Sequence, residues 1–241
     1  MIFRKILFLL SIYLCLDAKS EDKVYVIGIE DTSKYPFHYI DGNSYKGRYR
    51  EILEQFAKSN KIKFSYKPLP LELLHQELEN GSIDFRFPDN PVWQSSKKEE
   101  SQVIYSVAFT HFLNGFFVKT KDINKKLNTL HRIGYVNDDI LRSIEKKPHE
   151  EKGVAIKSSS CAELVTMLIR GEINAIFCNC DIVNYMLKDS SILERIAFNA
   201  NLPILDGYLH ISSIKYLDMI KKFDIWIERN RDYIEKKAHE F

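Results

Sequence analysis

Leu71-Glu72-Leu73-Leu74-His75-Gln76-Glu77-Leu78-Glu79-Asn80-Gly81-Ser82-Ile83-Asp84-Phe85-Arg86-Phe87-Pro88-Asp89 has a second copy later in the chain. That copy is Cys161-Ala162-Glu163-Leu164-Val165-Thr166-Met167-Leu168-Ile169-Arg170-Gly171-Glu172-Ile173-Asn174-Ala175-Ile176-Phe177-Cys178-Asn179. Aligned on Gly81 and Gly171, Leu74 matches Leu164, Leu78 matches Leu168, Ile83 matches Ile173 and Asp84 matches Asn174. Each copy reads as a helix with leucines four apart on its buried face. The glycine supplies a left-handed cap, and a short apolar strand follows. The strands end on polar groups, Asp89 and Asn179. Open α/β sheets bind ligands beyond the carboxyl ends of their strands. The repeat therefore predicts two similar lobes whose strand ends face a common cleft. Helix–glycine–strand units are common in α/β proteins, so the repeat alone speaks to fold class and not to function.

The flanking sequence fills in two matching halves. Val24 to Ile29 reads as a buried strand, Glu30 to Asn43 as a loop, Lys46 to Lys61 as a helix, and Lys63 to Lys67 as a strand before the first copy. Val103 to Val118 is aromatic-rich and breaks at Asn114-Gly115, which marks a crossing between lobes. His131 to Val136 opens the second half as a strand, and its Ile133-Gly134 echoes Ile27-Gly28. Leu141 to Lys147 reads as a short helix and Val154 to Lys157 as a strand. Ser160 with Glu163 then forms a capping box. Asp181 to Lys188 is helical, Ala200 to Ser212 returns in extended segments, and one amphipathic helix, Ile214 to Lys236, closes the chain. The result is an α/β fold of two lobes, each a mainly parallel sheet flanked by helices, with two hinge-crossing strands. The expected division is residues 21–115 and 206–241 for lobe one and 116–205 for lobe two.

The first twenty residues have the pattern of a secretory signal. Arg4 and Lys5 precede an apolar run from Ile6 to Leu16, and Ala18-Lys19-Ser20 places small residues where a signal peptidase reads. The run is shorter than the roughly 20 residues of a membrane span. A lipoprotein reading on Cys15 ranks second, because Leu14 precedes it where a small residue is wanted. Cleavage after Ser20 predicts a periplasmic protein beginning near Glu21. It would carry 32 basic and 32 acidic residues instead of 35 and 33. A neutral chain with interspersed charge has no footprint for nucleic acid.

Cys161, Cys178 and Cys180 remain after cleavage. Cys178 and Cys180, two apart on an expected strand, would share a face. The three allow one bridge, with Cys161 joined to one of the other two, or three small buried residues. Neither these cysteines nor the scattered histidines have metal-ligand spacing, and no cofactor is expected.

From Val24 to Phe241 the chain resembles the periplasmic solute-binding proteins of family 3, which feed amino-acid ABC transporters. The resemblance rests on Tyr35-Pro36-Phe37-His38-Tyr39 after the first strand, Gly47, Glu79-Asn80-Gly81-Ser82-Ile83-Asp84 and Tyr105-Ser106. In the second half it rests on Ile133-Gly134 and Arg170-Gly171-Glu172-Ile173-Asn174-Ala175-Ile176. Each piece is short; their order over nearly the whole chain carries the match. It implies a type 2 periplasmic-binding fold and a monomer that closes on a small polar, amino-acid-like solute and serves an ABC permease. It places Tyr35, Phe37 and Tyr39 where the family stacks a ring on its ligand, and Tyr105 and Ser106 as hydroxyl and backbone contacts.

The departures fall on the amino-acid clasp. The family's carboxylate-binding arginine is missing from Ser95 to Ser101, where Lys98 is the nearest cation. Asp138 stands where a small hydroxyl residue is usual, and the ammonium-binding aspartate falls on Asn179. Residue by residue, Asp89 and Trp93 complete the expected ligand set. Asp89 reads equally as a turn cap before Asn90-Pro91, and Trp93 as a surface anchor. The rival reading is a periplasmic enzyme on the same fold, similar to dehydratases of cyclic acids, drawing on Glu30, His38, Asp89 or Asp138. An orphan ligand-sensing role is the third.

Overall fold

The computed structural model describes residues 23–93, 102–136, 154–188 and 195–240. In chain order the elements begin β1 (Val24–Glu30), β2 (Tyr39–Asp41), β3 (Ser44–Lys46), α1 (Arg48–Ser59), β4 (Lys63–Leu69), α2 (Leu71–Glu79) and β5 (Phe85–Asp89). Next come β6 (Ile104–Tyr105), β7 (Thr110–Lys119), β8 (Arg132–Tyr135), β9 (Val154–Lys157), α3 (Cys161–Arg170) and β10 (Ala175–Asn179). The chain continues through α4 (Cys180–Leu187), β11 (Ile196–Phe198), β12 (Leu205–Ser213), α5 (Leu217–Arg229) and α6 (Arg231–Ala238).

The repeat is structural. Strands β1, β4 and β5 pair in parallel in the order β4-β1-β5, and β8, β9 and β10 pair in parallel as β9-β8-β10. In both halves the first strand is central. Strands β12 and β7 run antiparallel between them, giving β5-β12-β7-β10, so the two parallel units join through the two crossing strands.

The matched residues perform matched jobs. Asp84 accepts a hydrogen bond from Val26 N–H at 2.8 Å and returns its own N–H to the Val26 carbonyl at 2.8 Å. Asn174 does the same with Arg132, at 3.0 and 2.8 Å. Gly81 and Gly171 end α2 and α3 at φ values of 79° and 80°. Leu74, Leu78 and Ile83 are buried in one half, as Leu164, Leu168 and Ile173 are in the other.

The echo of Gly28 in Gly134 has a steric cause. A Cβ on Gly134 would sit 2.5 Å from Leu164 Cδ2 and 2.8 Å from Ile173 Cδ1; on Gly28 it would meet their counterparts Leu74 and Ile83. The strand can pass under its helix only without a side chain there. Gly134→Ala is therefore expected to cost about 1–3 kcal/mol by overpacking, read as a lower melting temperature. An unchanged melt would show that the leucine and isoleucine have room to yield.

The largest core lies in the first half. It packs Ile27, Ile29, Ile52 and Phe85 against Phe223 and Ile227 of α5, with Phe56 and Phe223 stacked at 3.6 Å between ring centroids. Two boundaries differ from expectation. The segment read as loop before α1 contains the first strand of the β2–β3 hairpin. The single closing helix is two: Asn230, at φ −119° and ψ 22°, leaves helical geometry between α5 and α6, and its carboxamide donates to the Trp226 carbonyl at 2.8 Å. The predicted helix at Leu141–Lys147 lies outside the described residues.

Candidate functional site

The carboxyl ends of the parallel strands of both halves meet at a cavity of about 290 Å³. Glu30 closes β1 and Pro88 lies near the end of β5, while Val136 follows β8 and Asn179 ends β10; all four are on the cavity wall. Crossing strands supply the floor through Phe112, Asn114, Leu205 and Leu209. The volume is near the lower end of the roughly 300–1,000 Å³ usual for small-molecule sites.

Six rings line the wall: Tyr35, Phe37, Tyr49, Trp93, Phe112 and Phe177. Trp93 lies 5.6 Å from Phe112, and Phe37 lies 5.3 Å from Tyr49, between centroids. Among the described residues, the charged side chains on the wall are Glu30 and Lys34, and they form an ion pair. Burial alone would raise the Glu30 carboxyl. The Lys34 ammonium and hydrogen bonds from Lys34 and from Thr32, the latter at 2.6 Å, outweigh it and hold the group at about 2. His38 is 1% exposed. Burial, reinforced by the neighbouring Lys34 charge, lowers the imidazole to about 4, so it is neutral at pH 7.

Contacts also join the two halves. Tyr35 and Tyr185 of α4 bring their hydroxyls to 3.4 Å, and the Arg48 guanidinium sits 5.3 Å from the Tyr185 ring centroid. His239, just after α6, places Nδ1 3.1 Å from Asp181 Oδ2 of α4 and Nε2 3.3 Å from Glu235 Oε2 of α6, with Thr110 Oγ1 of β7 at 3.4 Å. The hydrogen bond to Asp181, opposed by partial burial and aided by the Asp181 and Glu235 charges, raises the imidazole above its ordinary 6.5. A histidine raised on folding stabilises most fully below 6.5, and that contribution fades as pH climbs through the raised value. The melting temperature of the protein should therefore exceed that of His239→Asn by more at pH 6 than at pH 8. A gap independent of pH would show that the imidazolium is not what Asp181 holds.

Of the residues expected from sequence to bind ligand, the structure brings Tyr35, Phe37, Trp93 and Asn179 to the cavity wall. Asn179 also accepts from Ile182 N–H at 3.1 Å and so caps α4. Tyr39 lies off the wall, its ring 5.1 Å from that of Tyr35. Asp89 is fully buried and faces protein. It pairs with Arg86 at 3.5 Å and accepts from Ser212 Oγ at 2.7 Å and from Asn90 N–H at 2.8 Å. Ser106 is buried too, its hydroxyl accepting from Ile211 N–H at 3.1 Å and donating to the Val107 carbonyl at 2.8 Å. Tyr105, beside it on β6, is off the wall, with its ring 6.2 Å from His210. Lys98 and Asp138 lie outside the described residues. Sequence reasoning misses Phe112, Asn114 and Phe177 as wall residues; the break at Asn114-Gly115 in the aromatic crossover is the signal for the first two.

A disulfide joins Cys161, at the start of α3, to Cys178, near the end of β10, and both residues line the cavity. Cys180 does not share the strand with Cys178 as expected. It begins α4 as a buried free thiol, because Asn179 caps that helix immediately after the strand.

No family model matches the chain, and no curated protein matches it. Solved structures do. An arginine transport system periplasmic binding protein from Legionella pneumophila is 13% identical with a TM-score of 0.66, over 91% of this chain and 100% of that one. An ancestral arginine-binding protein bound to arginine is 19% identical with a TM-score of 0.66, over 89% and 97%. An ABC uptake transporter substrate-binding protein from Streptococcus pneumoniae with bound histidine is 15% identical with a TM-score of 0.68, over 89% and 92%. At these identities the likeness is one of fold, and the chain has the two-lobed α/β fold of the periplasmic binding proteins.

Proposed function

We propose that this chain is an exported, monomeric solute-binding protein that closes its cleft on a small molecule and presents it to an ABC-type permease. The observation that carries the reading is the cavity at the strand ends of two repeated halves, walled by both and floored by the strands that cross between them. Residues 21–115 with 206–241 would form one lobe and 116–205 the other. The disulfide suits an oxidising compartment, and no helix among the described residues is long and apolar enough to cross a membrane.

A non-catalytic role is favoured by the state of Glu30. A general acid or base works best with a pKa near the operating pH. Glu30, the one carboxylate among the described wall residues, is held at about 2, chiefly by its ion pair.

The test is a thermal-shift panel of amino acids, polyamines, sugars and cyclic acids on protein unfolded and refolded to strip any carried solute. A solute at about 100 times its dissociation constant adds roughly 2.7 kcal/mol. At about 2–4 °C per kcal/mol for a chain of this size, the shift is easily read. A stabiliser recovered chemically unchanged supports the reading. A stabiliser converted to product would replace it with the enzyme.

A further inference from the structure

We propose that the cavity takes an uncharged aromatic or heteroaromatic solute in preference to an amino-acid zwitterion, a narrowing that rests on the solute-binding reading above. The wall supplies rings from several elements: Tyr35 and Phe37 after β1, Tyr49 of α1, Trp93 after β5, Phe112 of β7 and Phe177 of β10. Flat apolar walls favour a planar body, through burial and through offset or edge-to-face ring contacts.

Among the described residues, the charges on the wall argue against an ionic solute. Glu30 and Lys34 neutralise each other. A zwitterion entering a closed site loses its hydration and needs a counter-charge for each end. A solute carboxylate could draw on Lys34 only in competition with the buried Glu30 carboxylate. At the start of α3 the Glu163 N–H is already taken by Ser160 Oγ at 3.3 Å, and the Glu163 carboxylate accepts from the Ser158 and Ser159 hydroxyls. The Asn179 carboxamide oxygen is engaged at the start of α4.

Among the described residues, the wall offers neutral groups instead. His38 is neutral but fully buried, with the Thr32 backbone hydrogen-bonding its ring, so it backs the wall without offering a free ring nitrogen to the cavity. Asn114 adds a carboxamide on the floor. A carboxamide both donates and accepts, which suits the ring nitrogens and exocyclic oxygens of a heterocycle.

The experiment titrates refolded protein calorimetrically with three pairs that differ in one charge: nicotinamide and nicotinate, uracil and orotate, indole-3-acetamide and indole-3-acetate. Arginine, glutamine and phenylalanine complete the set. The expected result is saturable binding of at least one uncharged ring, tenfold or more tighter than its carboxylate partner and than every amino acid. Asn114→Leu should weaken that binding about tenfold; Tyr35→Ala, at a half-exposed position, is the second variant should the first fail to fold. An amino acid or a carboxylate bound tighter than every uncharged ring overturns the proposal and leaves the solute-binding reading standing. Binding by none of these compounds, with the fold intact by circular dichroism, overturns the proposal; a flat result in the wider thermal-shift panel as well removes the solute-binding reading with it.

Discussion

Replacing Asp89 by alanine is expected to lower stability by about 3–5 kcal/mol while leaving the solute affinity of the folded protein unchanged. Arg86 and Asp89 are both fully buried, three residues apart on β5, with the Asp89 carboxylate also held by Ser212 and by the Asn90 N–H. Removing the carboxylate takes a counter-charge from a buried guanidinium and acceptors from two buried donors. The melting temperature should fall by roughly 6–20 °C at about 2–4 °C per kcal/mol. Replacing both residues by apolar ones should recover much of the loss, since an apolar pair of similar volume often does as well as a buried ion pair. An unchanged melt together with lost binding would return Asp89 to the ligand set.

Loss of the Cys161–Cys178 bridge is the second large effect. The cysteines are 17 residues apart, and closing a loop of about that size stabilises by roughly 3 kcal/mol. Cys161→Ser and reduction by dithiothreitol should therefore lower the melting temperature by similar amounts, roughly 6–12 °C. Solute affinity should fall as well, because the bridge ties the start of α3 to the end of β10 and both lie on the cavity wall. Cys180 is a poor substitute partner. Burial, with the Asp181 charge beside it, pushes its thiol up to about 12, so it stays protonated. A melt insensitive to reductant would show that the bridge contributes nothing to the folded state.

The repeat is legible in the sequence because its signals are local. Leucines four apart, a glycine cap and an Asp or Asn three residues after it sit close together in sequence, and each recurs in the other half, where Asp84 and Asn174 make the same bonds to strands 58 and 42 residues away. The position of the cleft follows from where the strands end. What stays hidden depends on contacts distant in sequence. Asp89 reads as a ligand-facing strand end until Ser212, 123 residues away, is seen to hold it. His38 reads as one of several scattered histidines until folding buries it beside Lys34. The Asn114-Gly115 break marks the crossover, but the place of Asn114 on the wall comes from its register opposite Asn179 on one side and Leu205 on the other. Asn230 splits the closing helix by leaving helical geometry at one residue, which the apolar periodicity on either side conceals.

The most direct test of a cleft that closes on a solute is small-angle X-ray scattering of the refolded protein, titrated with the strongest stabiliser from the thermal panel. Hinge closure brings two lobes together around the ligand. The radius of gyration should therefore fall with solute concentration and saturate along the same isotherm as binding. A solute that binds to saturation while the radius of gyration stays constant would contradict the account.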